Sequence, residues 1–342
     1  MHVMQPVACT LCNLLVTMNS TILTFADAGY SYLLLNSLTH RARTAPWSLP
    51  PLVAHCLDDV AYARCAAATS ALPAARGGCV RAPPSCCSAS RGLVGERQDH
   101  GRAGGGSERA RALEALLVYK LRAVQAQLRR TGLPVIMLDA DALVTHASCY
   151  DRWLAYPEEL VTQVSPLTGC PRWVATRLGT TVNTGASLWR PAGGEALLER
   201  ALRLREVAGP RGYPYLHHCY EQELVNSALH AASPTWLHFP RVLALSGPPP
   251  MRVRLLNFTR WFSLIDGKPY GLTLDDRLGY NSTTAPPTST AAGSSPPPPP
   301  PLQRARFVPA GLSRRARDTT CLIHVVGKKS NATWRARKLW YL

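Results

Sequence analysis

The chain is short of negative charge: 21 aspartates and glutamates stand against 38 lysines and arginines in 342 residues, a formal net charge of +17. Its partners or substrates are therefore expected to be anionic, with sugar nucleotides, acidic polysaccharide and nucleic acid as the candidate classes. Modules for reading nucleic acid are missing. There is no zinc-finger spacing and no aromatic RNP-like strand, and the arginines are scattered over helices and insertions. No stretch reaches the roughly 18 unbroken apolar residues of a membrane span, and the first residues lack the pattern of a signal peptide. The expectation is either a truncated gene model or a catalytic fragment lacking its targeting region. Cys9-x-x-Cys12 has no second pair, which argues against a zinc site or a thioredoxin-like motif. Eleven cysteines in a chain of this length do not make a small disulfide scaffold, and the pairing of Cys79, Cys86 and Cys87 stays open.

What is present is ample for a core, since 46% of the residues are hydrophobic. Asn13 to Met18 reads as a buried strand ending at Asn19, and Phe25 to His40 as a helix with Ala28, Tyr32, Leu35 and Leu38 on one face. Leu52 to Leu57 is a second strand, closed by Asp58-Asp59 before a helical run from Val60 to Ala68. This β-α-β-α opening predicts a parallel sheet covered by helices. Between about 70 and 107 the composition shifts to Ala, Gly, Arg, Pro and Ser, which predicts a disordered insertion. A second one is predicted at about 281–305, where Pro296 through Pro301 run together. The remainder, 1–342 without those insertions, is expected to be one catalytic domain.

Leu113, Leu116, Leu117, Leu121, Val124 and Leu128 recur at helical spacing, and Gly132 is placed as a left-handed stop. That helix leads into Val135-Ile136-Met137-Leu138, a buried strand that ends in Asp139-Ala140-Asp141. In an open α/β sheet the ligand crevice lies outside the carboxyl ends of the strands, and two carboxylates there offer hard oxygen ligands to one divalent cation. Strand alternation would turn both to the same side. The plainer possibility is that they cap the next turn. An EF-hand calcium loop is disfavoured, because no Gly and terminal Glu follow at its spacing. Further helices are predicted over Gly194 to Ala208 and Glu221 to Ala232. Strands are predicted at Leu160 to Val164, Thr235 to Phe239, Arg252 to Leu256 and around Cys321 to Lys329. Sequons stand at Asn19, Asn257, Asn281 and Asn331.

Taken in order, Leu15 to Asn19, Tyr32 to Leu38, Leu57-Asp58, Tyr119-Lys120-Leu121, Leu138-Asp139-Ala140-Asp141, Asn183-Thr184-Gly185, Glu221-Gln222 and His324 with Gly327 and Lys328 form a recognisable series. The series resembles the plant and algal nucleotide-diphospho-sugar transferases of glycosyltransferase family 77, the xylosyl- and arabinosyltransferases. Lys120-Leu121 and Leu138 to Val144 are also similar to the glycogenin-like and galactinol-synthase-like transferases.

The resemblance implies a GT-A-type, Rossmann-like α/β fold: a mixed, mostly parallel sheet with helices on both faces. It implies a retaining enzyme that moves a pentose or hexose from a UDP-sugar to a glycan or hydroxyproline-rich glycoprotein, in the Golgi lumen and in cell-wall synthesis. By the same likeness, Asp139, Asp141 and His324 hold a divalent metal, Mn2+ or Mg2+. Asn19, Lys120, Asp139, Thr184, Gly185, Gly327 and Lys328 line the donor, and Asp141, Asn183, Glu221 and Gln222 surround the reacting sugar. Glu221 departs from the Asp usual at that place. A basic binding protein without catalysis, or a degenerate transferase that binds without turnover, are the rival outcomes.

Overall fold

The computed structural model of the chain describes residues 19–43, 49–87, 108–144, 148–165, 181–207, 221–232, 242–245, 249–256, 261–265, 268–270 and 322–326. Its main sheet has eight strands in the order β3-β2-β1-β4-β7-β6-β9-β8. These are β1 (Thr21–Ala26), β2 (Leu52–Cys56), β3 (Gly77–Arg81), β4 (Val135–Leu138), β6 (Leu160–Ser165), β7 (Thr181–Trp189), β8 (Val242–Leu245) and β9 (Met251–Leu256). All run parallel except β7 and β8, each antiparallel to its neighbours. A second sheet has the order β11-β10-β12-β5, from β5 (Ala142–Val144), β10 (Trp261–Ile265), β11 (Lys268–Tyr270) and β12 (Leu322–Val326).

Helices cover both faces of the main sheet, as expected for the GT-A-type arrangement. One face packs α4 (Glu108–Thr131), α6 (Gly193–Val207) and α7 (Glu221–Ala232). The other packs α1 (Ser31–Arg43), α2 (Asp59–Ala71) and α5 (Ser148–Leu154). In α4 the stripe Leu117, Leu121, Val124 and Leu128 steps by four, three and four residues, the spacing of one helical face, and all four are buried. Gly132 ends that helix at φ +63°, with its N–H donating to the Leu128 carbonyl at 2.8 Å. In α7, Leu224, Val225, Ala228 and Leu229 are fully buried. No described helix is long and apolar enough to cross a membrane.

Three expectations change. Phe25 belongs to β1, not to a helix, because Thr21-Ile22-Leu23-Thr24-Phe25-Ala26 is a continuous buried run, as a parallel strand covered on both faces requires. The first helix therefore begins at Ser31, and its buried leucines are Leu33, Leu34 and Leu38, while Tyr32 and Leu35 are half-buried. Second, residues 70–87 are structured: a 3-10 turn at Pro73–Ala75, strand β3 and a short helix α3 (Pro84–Cys87). A Cys65–Cys79 disulfide pins β3 to α2, and Cys86 and Cys149 are also disulfide-bonded. Third, β8, β10 and β11 are strands that the sequence analysis did not assign. The expected strands at Asn13 to Met18 and Thr235 to Phe239, and the insertion at 281–305, lie outside the described residues, as do 88–107.

Candidate functional site

The parallel strands bring several carboxylates to one edge. Asp27 follows β1, Asp58 follows β2 and Asp139 follows β4. Asp58 caps α2, its Oδ1 accepting from Ala61 N, and its Oδ2 accepts from Ala28 N, both at 2.7 Å. One side chain thereby ties the β1 exit to the β2 exit. Asp27 is buried at 2% exposure and accepts from Tyr30 N at 2.9 Å.

The β4 exit is a tight turn. Ala142 N donates to the Asp139 carbonyl at 2.9 Å, which closes Asp139 to Ala142 into a β-turn and hands the chain to β5 in the second sheet. The alternation argument for Asp139 and Asp141 therefore does not apply, because the strand stops at Leu138. What the turn does is hold both carboxylates within four residues at the boundary of two sheets. Asp141 is 2% exposed, and the Asp139 side chain is 28% exposed.

Lys120 is not an edge residue reaching for water. It is buried on α4, and its Nζ donates to Asp139 Oδ1 at 2.8 Å while standing 5.9 Å from the centroid of the Phe25 ring. The ring is part of an aromatic group that sequence reasoning missed. Phe25 stacks on His55 at 5.1 Å, and Tyr119 lies edge-on to both. His55 Nδ1 and the Tyr119 hydroxyl are 2.7 Å apart. Burial, reinforced by the charge of Arg130, lowers the His55 pKa to about 4, so the ring is neutral at pH 7. Burial raises Tyr119 above its ordinary value. The nearby Cys56 thiol, the free cysteine among the described residues, is pushed up to about 12 by burial and by Asp58, and is inert as a nucleophile.

Asn183-Thr184-Gly185 forms an irregularity inside β7. Thr162 of β6 pairs with Ser187, and the next residue, Gln163, pairs with Asn183. Residues 184–186 therefore have no partner in β6 and bulge. Asn183 Oδ1 accepts from Gly185 N at 2.8 Å, and the Gly185 carbonyl accepts from Asp139 N at 2.7 Å. The bulge thus grips the acidic turn by its backbone. Thr162 Oγ1 donates to the Asn183 carbonyl and Ser187 Oγ to that of Thr184, at 2.8 and 2.9 Å. Thr184 is completely buried.

Glu221 and Gln222 open α7, which is tied to the start of β7 by Asn226. Its Oδ1 accepts from Val182 N at 2.9 Å, and its Nδ2 donates to the Gln222 carbonyl at 2.7 Å. A polar residue inside the stripe Leu224, Val225, Ala228 and Leu229 was the sequence signal for this tie.

His324 arrives from far along the chain: β12 runs antiparallel to β5, and the register sets His324 opposite Ala142, the residue after Asp141. This fixes its backbone only. Among the described residues no group of three His, Cys, Asp or Glu side chains is gathered to hold a metal ion. Gly327 and Lys328 lie outside the described residues. Asn19 is a correction. It is exposed just before the amino end of β1, whereas Asp139 follows the carboxyl end of the parallel β4, so the two occupy opposite edges of the sheet. The displacement follows from Thr21–Ala26 being a strand, which puts Asn19 before its amino end.

No protein-family model matches the chain, and no curated protein sequence matches it. Among solved structures, the chain is similar to the galactosyltransferase LgtC in complex with donor and acceptor sugar analogues, at 12% identity and a TM-score of 0.47 over 93% of each chain. Another is mouse xyloside xylosyltransferase 1, at 12% identity and a TM-score of 0.44 over 72% of this chain and 88% of that one. A third is the bifunctional glycosyltransferase WbbM, at 13% identity and a TM-score of 0.50, where 96% of this chain matches 48% of that one. The likeness to WbbM is one of fold, and together with the strand order it assigns the chain to the GT-A-type, Rossmann-like α/β architecture.

Proposed function

We propose that this chain is a metal-dependent glycosyltransferase that moves a sugar, a pentose or hexose, from a UDP-sugar to a glycan or glycoprotein acceptor with retention at the anomeric carbon. The observation that carries the reading is the acidic turn Asp139-Ala140-Asp141 at the carboxyl edge of the sheet, held by the β7 bulge through Gly185 and faced by Lys120. Ligand crevices of open α/β sheets form at this edge.

The two carboxylates of the turn, Asp139 and Asp141, are hard anionic donors that suit Mn2+ or Mg2+, and His324, opposite Ala142, adds a neutral nitrogen as the third ligand. When bound, such an ion supplies Lewis-acid stabilisation of the departing diphosphate. The chain's own residues do the rest. Lys120 orients the Asp139 carboxylate and adds a fixed positive charge within reach of the phosphates, and Lys328 beside Gly327 adds a second. Asn183, Thr184 and Gly185, with Glu221 and Gln222 at the start of α7, surround the sugar. Retention follows from front-face attack, in which the departing phosphate takes the acceptor proton.

The Cys65–Cys79 bridge supports an oxidising compartment, in keeping with the Golgi lumen and a glycan or hydroxyproline-rich glycoprotein of the cell wall as acceptor. Hydrolysis of a panel of UDP-sugars in the presence of MnCl2 tests the reading. Release of UDP that is lost in Asp141→Ala supports it, and no release from any donor by the wild-type chain refutes it.

A further inference from the structure

Gln163 is a described residue near this edge whose side chain nothing above uses. It is 1% exposed, and neither its amide nitrogen nor its amide oxygen has a hydrogen-bond partner among the described residues. A buried carboxamide without partners costs on the order of 1–3 kcal/mol for each unpaired group, and native folds rarely keep one without a reason. Packing is not the reason. Gln163 lies in β6 two residues after Val161, and its register partner in β9 is Leu256; both belong to the same buried apolar face. A Leu or Met would fill that place without the polar penalty.

The location gives the reason. Gln163 is the cross-strand partner of Asn183, so the two side chains share a face of the sheet. It stands at the last point of regular pairing before residues 184–186 bulge toward the acidic turn. From Gln163 the path runs to Asn183, from the Asn183 carboxamide to Gly185 N at 2.8 Å, and from the Gly185 carbonyl to Asp139 N at 2.7 Å. A carboxamide is uncharged and offers donors and an acceptor together. That combination suits the neighbouring hydroxyls of a sugar ring and not a phosphate, which would draw a cation.

We infer that Gln163 is a sugar-recognising residue of the donor site: its amide is kept unpaired in the free protein and hydrogen-bonds ring hydroxyls of the transferred sugar. The inference rests on the transferase reading and adds a determinant of which sugar is accepted. A residue of this kind gives strong discrimination, because a sugar lacking the matching hydroxyl leaves the amide unsatisfied again.

The test uses the full chain with MnCl2. Binding of UDP, UDP-xylose, UDP-glucose and UDP-galactose is measured by calorimetry for the wild type, Gln163→Met and Gln163→Leu, with a thermal melt of each ligand-free protein. The expected result is an unchanged Kd for UDP, a weakening of about tenfold or more for the preferred UDP-sugar, and a ligand-free melting temperature equal to or above that of the wild type. Equal affinity of wild type and variants for every UDP-sugar overturns the inference and leaves the transferase reading standing. A lowered melting temperature in Gln163→Met overturns it as well, since the amide would then have a structural partner. Failure of the wild type to bind any of the four ligands sinks the transferase reading and the inference with it.

Discussion

Lys120 Nζ and Asp139 Oδ1 stand 2.8 Å apart, one from the middle of α4 and the other from the turn that follows β4. The lysine is buried and the aspartate side chain is partly exposed, and the pair compensates charge. Lys120→Met should cost about 1–3 kcal/mol in denaturant titrations without metal, because the carboxylate loses its partner in a partly desolvated place. Manganese should recover more stability in Lys120→Met than in the wild type, the ion taking over the lysine's compensation. An identical manganese effect in both proteins would mean that Asp139 does not see the ion.

His55 gives the stability a pH dependence. Its pKa is about 4 in the folded chain and near 6.5 when unfolded, so below pH 6.5 the unfolded state binds the proton first. The stability it contributes is present above pH 6.5 and is lost as the pH falls to 4, by at most about 3 kcal/mol. His55→Gln should flatten the acid limb of a melting-temperature profile over that window. A limb of unchanged slope would show that the imidazole is already charged in the fold.

Asn226 is fully buried and serves Val182 N and the Gln222 carbonyl at once. Asn226→Ala leaves the Val182 N–H without a partner at the start of β7 and should destabilise by about 1–3 kcal/mol. Hydrogen exchange at the Val182 amide should accelerate together with the first turn of α7. Protection as strong as in the wild type would contradict the tie.

The Cys65–Cys79 bridge closes a loop with a sequence separation of 14. Replacing both by serine should lower stability by about 2–3 kcal/mol, with faster exchange confined to β3 and the end of α2. Loss spread evenly over the sheet would show that β3 is not a separately pinned edge.

Much of this was legible in the sequence where one local signal dominated. The α4 stripe with its Gly132 stop, the apolar β4 ending in Asp139, and the Leu224 to Leu229 stripe of α7 each carry their period in neighbouring residues. Thr21 to Ala26 was not read as a strand because its last apolar residues, Phe25 and Ala26, also fit the pattern of the helix that follows, and nothing local ranks the two. Asn19 was misplaced for that reason. The pairing of His324 with Ala142 joins residues 182 positions apart, and the Lys120–Asp139 contact depends on how α4 lies on the sheet. Neither leaves a periodic trace. The β7 bulge is invisible because its residues look like any Asn-Thr-Gly turn until β6 supplies a partner for Asn183 and none for residues 184–186.

The central claim is that Asp139 and Asp141 hold a divalent ion against a nucleoside diphosphate. Calorimetric titration of UDP into the wild-type chain and into Asp139→Asn/Asp141→Asn, each with MnCl2 and with EDTA, measures this directly. Manganese should tighten UDP binding to the wild type by at least about tenfold, a difference near 1.4 kcal/mol, and leave the doubly substituted chain unchanged. Equal UDP binding by the wild type in MnCl2 and in EDTA would contradict it.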